Sequence, residues 1–412
     1  MSSEQRCRHC RAPLRLTLAD LGSAPPSNAY LTDEDLEAPE IWYPLRVLVC
    51  EHCWLVQTQD FARADALFHP DYAYFSSVSS TWLAHAERYV ADMVERFRLD
   101  TGHRVVEIAA NDGYLLQYVQ ARGLPCLGIE PTTATAAAAR AKGLTIVGDF
   151  FGLELAETLV AQGQAADLVV ANNVLAHVPD IDDFVRGVVR LLKPSGLATF
   201  EFPHLLRLLA ETQFDTLYHE HFSYLALGVV ERIFRANGLS VFDVEEWPTH
   251  GGSLRVYAQR ADTGRWPRQA RVDALLQRER AAGLETPAAY SDFQARAETI
   301  RHELLGFLLQ ARREERQVVG YGAAAKGNTL LNYAGVRPDL LAYVVDRNPA
   351  KQARYLPGSR IPVVDESRLT ETRPEYVLIL PWNLRDEVMR QLAEVRAWGG
   401  RFVTAVPRLQ LW

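Results

Sequence analysis

Short apolar runs alternate with longer amphipathic stretches from residue 104 onward, a pattern that predicts a sheet of parallel strands covered by helices. The strand candidates are 104–108, 126–129, 145–147, 168–171 and 197–202. Between them, 113–122, the alanine-rich 132–142 and 182–192 carry apolar positions at helical spacing. The five strands make one nucleotide-binding type of domain. A helical, Arg/Glu-rich stretch follows at 266–316, and strand–helix alternation then resumes with apolar runs at 317–319, 341–345, 376–380 and 401–404. Upstream, 54–100 reads as a connector that turns helical around 82–90, preceded by the irregular aromatic run Asp71-Tyr72-Ala73-Tyr74-Phe75-Ser76-Ser77. Neither a short repeat nor a low-complexity tract interrupts this order.

At 412 residues the chain is long enough for two or three domains, each with its own core. Hydrophobic residues at 48% and charged residues at 23% exclude wholesale disorder. The 51 acidic against 44 basic side chains leave a formal charge of −7, which argues against broad adhesion to nucleic acid or anionic lipid. A polar N-terminal stretch and the lack of a run of about 18 uncharged apolar residues predict neither a secretory signal nor a membrane span. The expectation is a cytoplasmic monomer.

Five cysteines are too few for a disulfide scaffold, and four of them fall in two identical spacings, Cys7-Arg8-His9-Cys10 and Cys50-Glu51-His52-Cys53. Each pair can offer two thiolates on a tight turn to a tetrahedral zinc ion. The 39 residues between the pairs exceed a common ribbon spacing, and a loop rich in Pro and acidic residues at 24–44 accounts for the excess. Four thiolates leave no open coordination position, so the zinc is expected to be structural. His9 and His52 are expected to flank the site or face solvent rather than bind the metal.

The central domain opens with Glu107-Ile108-Ala109-Ala110-Asn111-Asp112-Gly113-Tyr114-Leu115, a strand ending in a small-residue loop and a helix. One strand later, Glu130-Pro131 places a carboxylate where it can accept bonds from both hydroxyls of a ribose. These features suit NAD or S-adenosylmethionine. The loop is not G-x-G-x-x-G and so gives little reason to expect a pyrophosphate cradle, which favours S-adenosylmethionine. Asp149, after the third strand, and Asn172 and Asn173, after the fourth, complete the candidate cofactor contacts.

Two polar clusters follow. His177 projects from the carboxyl edge of the sheet, and Tyr218-His219-Glu220-His221-Phe222-Ser223-Tyr224 packs hydrogen-bonding and ionisable groups side by side. Metal binding, core packing and proton transfer are each open to this tract. Proton transfer fits better, since a histidine can take a carbon-bound proton near neutral pH while a tyrosine bonds a developing oxyanion.

These residues resemble the sugar C-methyltransferases of deoxysugar pathways, nearest in type to the tetronitrose C-3-methyltransferases. The resemblance rests on the paired C-x-x-C knuckles, Tyr72-x-Tyr74-x-Ser76-Ser77, 107–113, 218–224, His250-Gly251-Gly252-Ser253 and Gly320-Tyr321-Gly322-x-x-x-Lys326-Gly327-Asn328, and runs the length of the chain. Ala109 departs from it, standing where the family more often has glycine. It implies methyl transfer from S-adenosylmethionine to a carbon beside the keto group of a thymidine-diphosphate-linked 4-keto-6-deoxy sugar. By this resemblance His221 is the general base, directly or relayed through Tyr218, with Tyr218 and Tyr72 beside the sugar and His177 and Glu220 orienting or hydrogen-bonding. Ser76, Ser77, His250, Gly252, Lys326 and Asn328 are the expected substrate contacts, Lys326 near the diphosphate. His250 to Ser253, with Arg255, lines the cleft or forms a simple hairpin, and Asp346 reads a ribose or caps a turn. The expected fold class is α/β: a small zinc-binding module at 1–70, a Rossmann-like methyltransferase domain at 71–265, and a C-terminal Rossmann-like nucleotide-sugar-binding domain at 266–412. Rival readings are a C-5 rather than C-3 sugar methyltransferase, a methyltransferase of another small metabolite or a protein, an NAD-dependent oxidoreductase, and a zinc-dependent adaptor.

Overall fold

The computed structural model describes residues 5–61, 67 and 75–412. Tyr72 and Tyr74 lie outside these residues. The described residues build three sheets. In the first, β1 (Leu16–Ala24), β2 (Tyr43–Val49) and β3 (Val56–Thr58) run antiparallel. The second contains β4 (Val105–Ile108), β5 (Cys126–Ile129), β6 (Ile146–Val147), β7 (Ala166–Asn172) and β8 (Leu192–Pro203). A two-residue strand, β9 (Ser223–Tyr224), then crosses back to pair with β3 and becomes the fourth strand of the first sheet. The hairpin β10 (Leu239–Trp247) and β11 (Ser253–Arg260) closes the second sheet in the order β10-β11-β8-β7-β4-β5-β6, with β11 antiparallel to both neighbours. The five expected strands are all present. The sequence pattern missed β9 and a helix at Leu153–Ala161, and of the two readings open at His250 to Ser253 the structure shows the hairpin.

The C-terminal sheet holds five parallel strands, β12 (Val318–Tyr321), β13 (Val344–Val345), β15 (Pro362–Val364), β16 (Tyr376–Ile379) and β17 (Arg401–Thr404). Antiparallel β14 (Arg354–Tyr355) and β18 (Gln410–Leu411) flank them.

Helix α1 (Ser80–Phe97) starts where the Ser79 hydroxyl accepts the Trp82 N–H, a side-chain cap, and buries Trp82, Ala86, Tyr89, Val90, Met93 and Phe97 along one face. The three sheets share a core: one contiguous apolar cluster runs from Cys7 and Leu55 through Phe184 and Tyr290 to Leu330 and Val403. The 24–44 loop is part of this joint. The Tyr30 hydroxyl donates to Ala323 O, and the Asn328 amide donates to Ser27 O. No helix among the described residues is long and apolar enough to cross a membrane.

Candidate active site

The loop after β4 is a tight run of left-handed backbone, with φ of +57° at Ala109, +49° at Asn111 and +77° at Gly113. A Cβ on Gly113 would stand 2.3 Å from Leu144 Cδ1, at a left-handed φ that glycine adopts at least cost. Glu130, at the end of β5, accepts the N–H groups of Asn111 and Thr132, both at 2.9 Å, and thereby braces the loop. Ser76 N–H donates to Asn111 Oδ1 at 2.9 Å and Ser77 N–H to Asp112 Oδ2 at 3.3 Å. Lys142 ties Ser77 Oγ and Asp112 O together from outside. Ser76 and Ser77, expected on the sugar, are thus tied through their backbone to the loop after β4. Leu115 is fully buried beneath that loop as core. Pro131 is half-buried ahead of the next helix, and Asp149 is exposed at the end of β6, accepting the Phe150 N–H.

Burial pushes the Glu107 carboxyl well above its usual range, against the pull of the Tyr114 hydroxyl. Asp112 Oδ1 and Asn173 Oδ1 are buried without a hydrogen-bond partner among the described residues, along the same carboxyl edge. Stranded acceptors of this kind call for a ligand that brings donors. S-adenosylmethionine does so through its ammonium group, ribose hydroxyls and adenine amine, so these residues fit it.

The tract 218–224 converges on His221. Its Nδ1–H donates to Thr216 O at 2.9 Å, which leaves Nε2 as the lone-pair nitrogen, and the Tyr218 hydroxyl donates to it at 2.9 Å. The His177 ring stands 4.6 Å from that of His221 and its Nδ1–H donates to the Glu220 carbonyl at 2.7 Å. Asn28, from the 24–44 loop, holds the Glu220 carboxyl through its backbone N–H at 3.3 Å and its amide at 2.9 Å. Burial, then the neighbouring His177 and Lys326, depress His221 well below the ordinary histidine value, so it is neutral at pH 7. Burial likewise lowers His177 to about 4 and raises Glu220 to about 7, the latter against the Asn28 hydrogen bonds. His219 departs from this group, donating through Nε2 to Pro44 O at 3.2 Å. The two histidines do not converge on a metal position.

Desolvation lowers Lys326 despite Asp215, and its ammonium donates to Asn383 Oδ1 at 2.8 Å, 5.0 Å from the Trp382 ring. Desolvation, then the Lys326 charge, lowers His250 to about 4; its ring stands edge-on to Trp82 at 4.8 Å. Gly252, at φ +114° and with Arg207 Cγ 2.8 Å from where a Cβ would sit, forms the tight turn joining β10 to β11. Arg255, on β11 of that hairpin, is buried with its Nε and Nη2 both donating to Glu201 Oε2. Asn328 is buried against Ser27. Asp346 caps the turn, accepting Ala323 N–H at 2.7 Å and Asn348 N–H at 2.8 Å. Sequence reasoning did not single out Asn28, Thr216, Asp215 or Trp382; each lies far along the chain from the partner it meets or contributes a backbone carbonyl, and neither leaves a local pattern.

The two knuckles have matching geometry. Arg11 N–H returns to Cys7 O and Trp54 N–H to Cys50 O, at 3.0 and 2.8 Å. The four Sγ atoms lie within 4.8 Å of one another, with Cys7–Cys53 and Cys10–Cys50 both at 3.5 Å. A tetrahedron on Zn–S bonds of about 2.3 Å has edges of ~3.8 Å, so Cys7, Cys10, Cys50 and Cys53 fit zinc. The Gln57 amide donates to Cys7 Sγ at 3.3 Å. His9 instead pairs with Asp182 at 2.8 Å, fastening the knuckle to the second sheet's helical layer, and His52 is exposed.

The reversed hairpin on a parallel sheet, the strand-end carboxylate and the stranded acceptors define an S-adenosylmethionine-dependent methyltransferase. Family models match in three blocks, described as "Putative zinc binding domain" at 7–68, "Methyltransferase domain" at 82–244 and "C-methyltransferase C-terminal domain" at 248–407. The C-methyltransferase NovU of Streptomyces niveus is 34% identical over 401 residues, 97% of this chain and 95% of the relative. The chain belongs to this C-methyltransferase family. The ubiquinone biosynthesis O-methyltransferase of Chelativorans sp. (strain BNC1) is 31% identical over 97 residues, 23% of this chain and 38% of the relative. Among solved structures, magnesium protoporphyrin IX methyltransferase (ChlM) from Synechocystis PCC 6803 with bound SAM aligns with a TM-score of 0.34 at 17% identity, covering 43% of this chain and 79% of that one.

Proposed function

We propose that the enzyme methylates a ring carbon, C-3, beside the keto group of a thymidine-diphosphate-linked 4-keto-6-deoxy sugar. The observation that carries this reading is a buried, neutral His221 whose Nε2 lone pair meets the Tyr218 hydroxyl. A C–H beside a ketone is acidic enough for such a base. His221 Nε2 takes the proton, directly or through Tyr218, and the electron pair moves into the ring as an enolate. Tyr218 is placed to bond the oxygen on which charge grows. S-adenosylmethionine, when bound, supplies an electrophilic methyl group. The enolate carbon forms the new C–C bond as the methyl–sulfur bond breaks. Lys326 gives the cleft a cation for the anionic substrate, with the N-terminal amides of the helix Ala325–Ala334 beside it.

Mass spectrometry of a panel of such sugars in heavy water, with and without S-adenosylmethionine, tests this. Deuterium uptake at one ring carbon together with a methyl mass gain identifies the chemistry and separates C-3 from C-5. If the cofactor binds and no sugar shows either change, the substrate assignment falls.

A further inference from the structure

The atom that sets the tautomer of His221 is the Thr216 carbonyl, on the short turn Phe214–Thr216. Contacts from the C-terminal domain reach the residues on both sides of it. The Trp382 Nε1–H donates to Asp215 Oδ2 at 2.7 Å, and the Thr329 hydroxyl donates to Leu217 O at 3.0 Å. The Tyr333 ring stands edge-on to Phe214 at 5.5 Å. Asp215 is fully buried and Thr329 nearly so. Thr329 and Tyr333 lie on the helix Ala325–Ala334, and Trp382 follows β16, so one domain grips the turn at 214, 215 and 217. Trp382 is itself held in place, since a Cβ on Gly251 would come within 2.7 Å of its ring.

We infer that Trp382 and Thr329 are positioning residues: through Asp215 and Leu217 they hold the Thr216 carbonyl where it keeps the His221 proton on Nδ1 and Nε2 open. The catalytic consequence rests on His221 being the base proposed above, whereas the positioning itself does not. Without the grip the turn can rotate its carbonyl away, Nδ1 loses its acceptor, and the Nε2–H tautomer competes. That tautomer has no lone pair facing Tyr218. The C-terminal domain would thus do more than hold substrate: it would keep the base in its working form.

The test uses full-length protein labelled with ¹⁵N-histidine, without substrate, because imidazole nitrogen shifts separate the two tautomers. The His221→Gln difference spectrum assigns the signal. Wild type is expected to show one Nδ1–H form. The double variant Trp382→Phe/Thr329→Val keeps an aromatic ring at 382 and the side-chain shape at 329 but removes both donors, and is expected to show a mixture. Its kcat should fall tenfold or more, with KM for the sugar nucleotide and cofactor affinity within twofold. Restoring the hydroxyl as Thr329→Ser should move the spectrum and kcat back toward wild type. A double variant that keeps the single Nδ1–H signal overturns the inference, whatever its melting temperature. A changed spectrum with unchanged kcat leaves the positioning intact and removes His221 as the base.

Discussion

The side-chain amide of Asn28 lies 2.9 Å from Glu220 Oε2, although 192 residues separate them. Glu220 is buried and its carboxyl is raised to about 7, so the folded protein holds a proton that the unfolded chain releases near 4.5. Between those values the native state binds more protons, and stability falls as pH rises from about 4.5 to about 7. Glu220→Gln removes this term. Relative to wild type it should gain stability progressively over that window, by up to about 3 kcal/mol above pH 7. Urea unfolding at pH 5 and pH 8 measures the difference, and parallel shifts at both values would count against the raised carboxyl.

His221→Asn should lower methyl transfer by about 10²–10⁴-fold, the usual scale for a lost general base. Its affinity for S-adenosylmethionine should stay within twofold, as read by calorimetry. Retained turnover would reject His221 as the base.

Ala109 adopts φ +57° where a side chain costs about 1–2 kcal/mol and glycine costs nothing sterically. The added freedom of glycine in the unfolded chain offsets part of that gain. Ala109→Gly should therefore raise stability by up to about 1 kcal/mol and leave cofactor binding intact. Ala109→Val, branched at a left-handed position, should weaken both. Thermal melts with and without cofactor check the pair.

Cys50→Ser should lose bound zinc and, with it, the support beneath β3. Because β3 pairs with β9 and the Thr58 hydroxyl donates to the His221 carbonyl, methyl transfer should drop at least tenfold. The candidate cofactor contacts follow β4, β5 and β7 of the second sheet, so S-adenosylmethionine affinity should change much less. Metal analysis of the purified protein, alongside calorimetry, distinguishes this from general unfolding, in which both would vanish.

The central strands were legible because their signals are local: β4 and β5 are short, mostly apolar runs, each ending in a loop with a turn residue or a carboxylate, Gly113 after one and Glu130 after the other. The four cysteines were legible for the same reason. Ser223–Tyr224 was not, since two residues carry no period and its pairing with Val56–Gln57 spans more than 160 positions. The bonds from the Ser76 and Ser77 N–H groups to Asn111 and Asp112 span 35 positions and leave no local pattern. Asp346 followed a strand as a ribose reader would, and only the fold shows its oxygens occupied by backbone amides.

The pairing of β3 with β9 also sets where this chain can be cut and recombined. A chimera that exchanged the first 61 residues with those of a relative would keep the host's β9 and His221 segment against a foreign β3. The natural cassette is discontinuous: the knuckles, the 24–44 loop and residues 214–224 travel together, and a successful graft between relatives would carry both pieces.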